Sequence, residues 1–228
     1  MLGGVWINCE DESVAFMAKG DTLYYPDSGV LPAHFSIYGD TICIDGTSQQ
    51  KYFIEKLTPN LFVFRNANSE LVKFVKTDDR SALSDFEKSS EPVQEVNQQL
   101  LKRDTIVGSG SMKYHCYTQI NPTTYKVVKD DINDEGVGIG KVFYDNVINI
   151  TVYSDGRRLY SHDFWKREFS KFVPEATMRQ SILSDIVYKS CTAEKVTLQA
   201  QLRIPGSASS YVVDIAISQD GKMSMSQP

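Results

Sequence analysis

Eight strand patterns of six or seven residues follow one another between residues 4 and 75, with a turn signal between most neighbours and no helical period among them. The candidates are 4–10, 13–18, 21–26, 33–38, 40–45, 51–57, 60–65 and 69–75. So little chain between strands leaves no room for crossovers, so each strand must pair antiparallel with the next. Asp27-Ser28-Gly29, Gly39-Asp40, Asp45-Gly46 and Asn66-Ala67-Asn68 supply turns. In Phe35-Ser36-Ile37-Tyr38 and Lys51-Tyr52-Phe53-Ile54 apolar and polar positions alternate with period two, as a sheet with one buried face requires. Residues 1–76 are therefore expected to form an antiparallel meander or a small barrel.

Composition changes between Thr77 and Asp104, where 11 of 28 residues are charged and only 7 are apolar. This segment, 77–104, reads as a polar linker. Within it Val93, Val96, Leu100 and Leu101 fall at helical spacing behind Ser90, Glu91 and Pro92, which predicts a connector helix over 92–102. Residues 105–228 read as an α+β module. Strand patterns cover 111–120, 123–129, 141–153, 157–161, 195–204, 211–218 and 222–226, and Asp155-Gly156 and Asp220-Gly221 suit tight hairpin turns. Trp165, Phe169 and Phe172 lie on one helical face, and Pro174 opens a second helix with Met178, Ile182 and Ile186 aligned. The fold class is thus α+β, predominantly β, with two helices in the second module.

A formal net charge of −5 leaves no cationic excess to neutralise phosphates, so nucleic acid is an unexpected partner. No stretch approaches the roughly 18 apolar residues of a spanning helix. The first strand pattern begins about three residues after Met1, which leads to the expectation that a signal segment has been removed upstream. Cys9, Cys43, Cys116 and Cys191 lie in apolar contexts and are expected as free thiols, one disulfide per module being the alternative.

No cluster of His, Cys, Asp, Glu or Ser has a recognised catalytic or metal spacing, so neither catalytic nor metal residues are assigned, no cofactor is expected, and no ligand-binding residue can be named. Gly136-Val137-Gly138-Ile139-Gly140 precedes a strand instead of opening a helix, which favours a hairpin entry over a phosphate loop. Asp131 to Gly136 resembles half of a calcium loop, but Val142 stands where the bidentate Glu is needed. His115 and Cys116 are neighbours on a strand and point to opposite faces. Ser109 enters a strand, unlike an elbow nucleophile. The aromatic clusters Tyr24-Tyr25 and Phe62/Phe64 either fill a core or line a ligand cavity or carbohydrate-stacking surface.

Gly4-Val5-Trp6 at the head of a meander is similar to the Gly-x-Trp start of lipocalins, which implies a lipocalin-like sheet for the first module. The second module resembles an uncharacterised family of two-module cell-envelope lipoproteins of gut anaerobic bacteria. The resemblance rests on Asp145 to Tyr153, Asp155-Gly156, Phe164, Phe169, Ile182 to Ile186 and Leu202 to Pro205. It implies an extracytoplasmic location, in the periplasm or at the outer-membrane surface, with membrane contact only through a lipid anchor outside the chain shown.

The expected function is that of a non-enzymatic cell-envelope binding or interaction protein, with an unknown protein or small molecule as partner. One alternative is a carrier of small apolar ligands through the first module, which needs an enclosed cavity of about 300 Å³ or more. The other is a hydrolase with a site near His162, drawing on Asp163 or Asp185.

Overall fold

The computed structural model describes residues 2–27, 29–87, 99–109 and 112–228. The protein is mostly β, and the chain divides into two compact units: residues 1–93 with 130–142, and residues 94–129 with 143–228.

In the first unit, eight antiparallel strands close into an up-and-down barrel in chain order. They are β1 (Gly4–Asn8), β2 (Val14–Lys19), β3 (Thr22–Tyr24), β4 (Ala33–Tyr38), β5 (Thr41–Asp45), β6 (Gln49–Leu57), β7 (Leu61–Arg65) and β8 (Leu71–Thr77). β1 closes the ring by pairing with both β2 and β8. All eight expected strands are present, and the first module is a closed eight-stranded barrel, as a lipocalin-like module requires. Its strands are short, so a small ring closes with a filled interior.

The Gly4-Val5-Trp6 motif has a local reason. Gly4 takes φ +126°, and a Cβ there would collide with the Lys76 side chain, which lies over the Trp6 ring at 5.8 Å. Trp6 is fully buried, stacks on Phe16 at 6.2 Å and donates its Nε1–H to the Leu2 carbonyl at 2.6 Å. Phe62, Phe64 and Phe74 continue the aromatic interior. Phe62/Phe64 thus fill the core, and the remaining cavity is about 20 Å³. A volume near that of one water cannot take a small apolar ligand, so the carrier reading does not hold.

Residues 130–142 also belong to the barrel unit. Val137 is 6% exposed within the barrel core cluster. The Gly138 N–H donates to Gln50 Oε1 and to the Tyr52 hydroxyl, both at 3.0 Å. Leu31 N–H donates to Gly140 O at 2.8 Å and Val142 N–H to Gly29 O at 2.7 Å, around a bridge between Val30 and Lys141. The glycine-rich run is accordingly a hairpin tip, and its small residues allow close backbone approach. The calcium-like stretch is part of the same turn, where Asn133 Oδ1 accepts the Val137 N–H at 2.8 Å and Asp131 pairs with Lys141 at 3.4 Å.

Glu135 lies at this tip. Burial holds its carboxyl above the usual carboxylate range, a hydrogen bond from Asn8 partly offsets this, and Asp134 and Asp11 add to the rise. A raised folded-state pKa means that the folded protein binds the proton more tightly. The corresponding stability is complete below the unfolded pKa and is lost as pH rises through the folded one. Glu135→Gln is therefore expected to raise the barrel's thermal midpoint at pH 7 and to leave it unchanged below the carboxylate range. Melts of both proteins across that interval provide the check, and parallel pH profiles would refute it.

Helix α1 (Arg80–Glu87) follows β8, its first turn held by Asp79 Oδ1 accepting the Ser81 N–H at 2.9 Å. It occupies part of the expected linker. The predicted connector helix over 92–102 lies largely outside the described residues, and its last two residues, Leu101 and Lys102, belong to a strand.

The second unit is a sandwich of two antiparallel sheets. One has the order β12-β11-β10-β9, from β9 (Leu101–Ser109), β10 (Met112–Ile132), β11 (Gly138–Ser154) and β12 (Arg157–Trp165). The other is the meander β13 (Ile182–Cys191), β14 (Lys195–Arg203), β15 (Ser210–Ser218) and β16 (Met223–Ser226). Tyr114, Ile148, Ile150, Phe164, Leu183, Ile186, Leu198 and Ile215 are among its fully buried core. The two predicted helices shrink to a 3-10 turn at Lys166–Phe169 and the short α2 (Glu175–Gln180). Ile182 and Ile186, which their spacing placed on a helix, instead lie in strand β13. A β-bulge between Leu183 and Asp185 shifts the strand's parity, so Ile182 packs with Val127 and Phe143 while Ile186 joins Leu183 in the sandwich core. β10 also runs unbroken through Pro122, just past Ile120, the last residue paired to β9, where a free edge tolerates a missing N–H.

All four cysteines are free thiols, with Cys43 and Cys116 buried. Burial pushes the Cys116 thiol up to about 11, which leaves it unreactive at neutral pH.

Candidate functional site

The outer face of the β9–β12 sheet carries the most organised group of exposed polar and aromatic side chains. Strand alternation puts Tyr114, Cys116 and Ile120 in the core and leaves His115, Tyr117 and Gln119 on the opposite face. On β9, Ile106 stands opposite His115 and Asp104 opposite Tyr117. On β11, Asn149, Thr151 and Tyr153 alternate with buried Ile148, Ile150 and Val152.

His115 links the group. Its Nε2 bonds the Asp104 carboxylate, and its Nδ1 lies 3.2 Å from the Tyr117 hydroxyl. With the ring neutral, Nε2–H donates to Asp104 and Nδ1 accepts the Tyr117 O–H, so one tautomer satisfies both partners. The imidazole also lies against the Tyr117 ring at 4.2 Å, and Tyr153 meets that ring edge-on at 5.8 Å. Burial, the Asp104 carboxylate and Tyr153 all raise the Tyr117 pKa, which keeps its hydroxyl protonated. Tyr117 is 40% exposed and Ile106 68%, so this fixed ring array faces solvent.

Tyr117 and Tyr153 border two grooves. One, of about 420 Å³, includes Ile106, Lys113, His115 and Asp155. The other, of about 490 Å³, includes Lys102, Asp104, Gln119, Asn149 and Thr151. Thr151 Oγ1 donates to Asn149 Oδ1 at 3.1 Å, Asn149 Nδ2 to Asp163 at 2.7 Å, and Gln119 Nε2 to Asn121 Oδ1 at 2.7 Å, which orders this polar rim.

Of the residues proposed for a hydrolytic site, His162 and Asp163 border one open groove of about 550 Å³, from opposite faces of β12, and Asp185 does not border it. His162 Nε2 bonds Glu168 Oε2 at 2.9 Å and packs edge-on to buried Phe164, whereas Asp163 is on the opposite, outward face with Asn149. Asp185 is held by a two-point bond from Arg103 at 2.7 and 3.2 Å. His34 is an exposed barrel residue near Asp21, and His115 faces away from buried Cys116.

A second polar cluster in this unit is internal. Asp145 and Lys166 approach to 3.9 Å, and burial raises the pKa of the first and lowers that of the second, each shift offset in part by the other's charge. Asp145 Oδ1 accepts the N–H groups of Asn146 and Leu183, and Lys166 donates to the Ser181 carbonyl at 2.7 Å. The adjacent Ser181 is 0% exposed, beyond reach of a substrate. These bonds join β11 to the start of β13 and have a structural role. Among the described residues no group of three or more His, Cys, Asp or Glu side chains is placed to hold a metal ion, and no helix is long and apolar enough to cross a membrane.

The Tyr117 face went unrecognised in the sequence because Asp104 fell in the expected linker. The available signal was the alternation His115-x-Tyr117-x-Gln119 and Asn149-x-Thr151-x-Tyr153, which aligns polar and aromatic groups on one side of adjacent strands.

The fold and this face define a β-rich protein of barrel and sandwich units, compatible with binding. The family model described as Domain of unknown function (DUF4738) matches residues 81–225, and the chain belongs to that family. No curated protein matches the chain.

Proposed function

We propose that this protein is a non-enzymatic binding or interaction protein of the cell envelope and that the Tyr117–Tyr153 face of the sandwich is its binding surface. The observation that supports this reading is the Asp104–His115–Tyr117 chain. It holds an exposed aromatic ring in one orientation, and a pre-oriented group loses little entropy on binding. The extracytoplasmic location and an upstream lipid anchor rest on the family resemblance of the second module and are part of the same proposal.

The test is ¹⁹F NMR of 3-fluorotyrosine-labelled protein titrated with soluble polymers and peptides from the envelope of its source cells. Tyr117 and Tyr153 resonances, assigned with Tyr117→Phe and Tyr153→Phe, are expected to move before the others. Movement confined to barrel tyrosines such as the exposed Tyr38 would refute the assigned surface.

A further inference from the structure

Resting on that binding surface, we propose that its ligand is an oligosaccharide, stacked on Tyr117 and Tyr153 and held through its hydroxyls by the adjoining polar rim. A pyranose ring has a flat C–H face bordered by hydroxyls, each both donor and acceptor. A tyrosine ring matches the first feature, with apolar area and a polar tip. Side-chain amides and hydroxyls match the second, because they offer donors and acceptors together. Here Gln119, Asn149, Thr151 and Asp104 line the groove that adjoins both tyrosines. The second groove touches the same two rings, so the surface accommodates a chain of sugars more readily than one ring.

Other ligand classes fit less well. β10 is paired on both sides, by β9 and β11, so a peptide cannot add there as a strand. The grooves mix Lys102, Lys113 and Arg103, which is paired with Asp185, with Asp104 and Asp155, and the chain carries a net charge of −5, so a polyphosphate backbone finds little cationic surface. Both grooves are open to solvent, unlike the closed apolar cavity that a hydrophobic small molecule needs.

The experiment is isothermal titration of the full chain with purified cello-, xylo-, manno- and galacturono-oligosaccharides, repeated on Tyr117→Ala, Tyr153→Ala and Tyr117→Phe. Tyr38→Ala on the barrel serves as the control, and near-ultraviolet circular dichroism confirms folding. At least one saccharide is expected to bind, with affinity about tenfold weaker in each alanine variant, weakened less in Tyr117→Phe, which keeps the ring but loses its bond to His115, and within about threefold of the parent in Tyr38→Ala. Saccharide binding that survives both alanine changes would overturn the proposal by placing the site elsewhere. If no saccharide binds but a tryptic peptide digest shifts the Tyr117 fluorine resonance, the carbohydrate assignment falls and the binding surface stands. If neither class perturbs Tyr117 or Tyr153, both fall.

Discussion

Val137→Asp is expected to cost the barrel unit at least about 3 kcal/mol, a large share of the roughly 5–15 kcal/mol that stabilises a typical domain. Val137 lies sixty residues beyond the last barrel strand, yet it is 6% exposed and packs in the barrel's aromatic core. An aspartate there would lose the apolar contact and bury a carboxylate whose nearest acidic neighbours include Glu135. Its protonation to avoid the charge would itself cost stability at neutral pH. The neighbouring Gly138 adds a second constraint, because a side chain at that position would overlap the Gln50 carboxamide. Urea unfolding of the full chain, followed by the fluorescence of Trp6 in a Trp165→Phe background, reads the barrel alone. Val137→Ala should lose only about 1–2 kcal/mol, the worth of two methyl groups. An unchanged barrel transition in Val137→Asp would show that residues 130–142 contribute nothing to that core.

Trp6→Ala is the other large effect, with an expected loss of about 3–5 kcal/mol. The indole is fully buried, stacks on Phe16, meets Phe62 edge-on at 6.2 Å and satisfies the Leu2 carbonyl. Truncation opens a cavity in an interior whose present free volume is about 20 Å³, and it strands a buried acceptor. Short strands around a small core leave little reserve against such a loss. Trp6→Phe should recover part of the stability by refilling the volume without replacing the N–H donor. Thermal unfolding of the three proteins by circular dichroism gives the order. Equal midpoints for Trp6→Ala and the parent would mean that the Gly4-Val5-Trp6 motif is incidental to the barrel.

Both predictions concern side chains whose importance was unevenly legible. Trp6 stands in a motif with a known geometric role, and short turn-punctuated strand patterns, several with clear period-two alternation, marked the barrel strands in advance. Val137 stood in a run of glycines that read as a hairpin entry, with nothing to indicate that the tip would be buried. Ile182 and Ile186 were assigned to a helix because a spacing of four fits one, yet on β13 a bulge between Leu183 and Asp185 sends them to different clusters. A bulge is a backbone event with no fixed residue signature. At the candidate surface, His115 and Tyr117 fell within one expected strand, 111–120, but Asp104 was placed in the linker, since its strand begins inside a charge-rich segment.

What the sequence determined by itself was local. Alternation marked most of the strands, Asp-Gly and Asn-containing pairs marked their turns, and the near absence of crossover length made the sheets antiparallel, because these depend on backbone sterics and nearest neighbours along the chain. The closure of eight strands into a ring, the burial of Val137 at the end of a distant hairpin and the meeting of Asp104, His115, Tyr117 and Tyr153 were decided by tertiary structure. Each depends on the register between strands and on which volumes remain to be filled, and those quantities exist only once the sheets have packed.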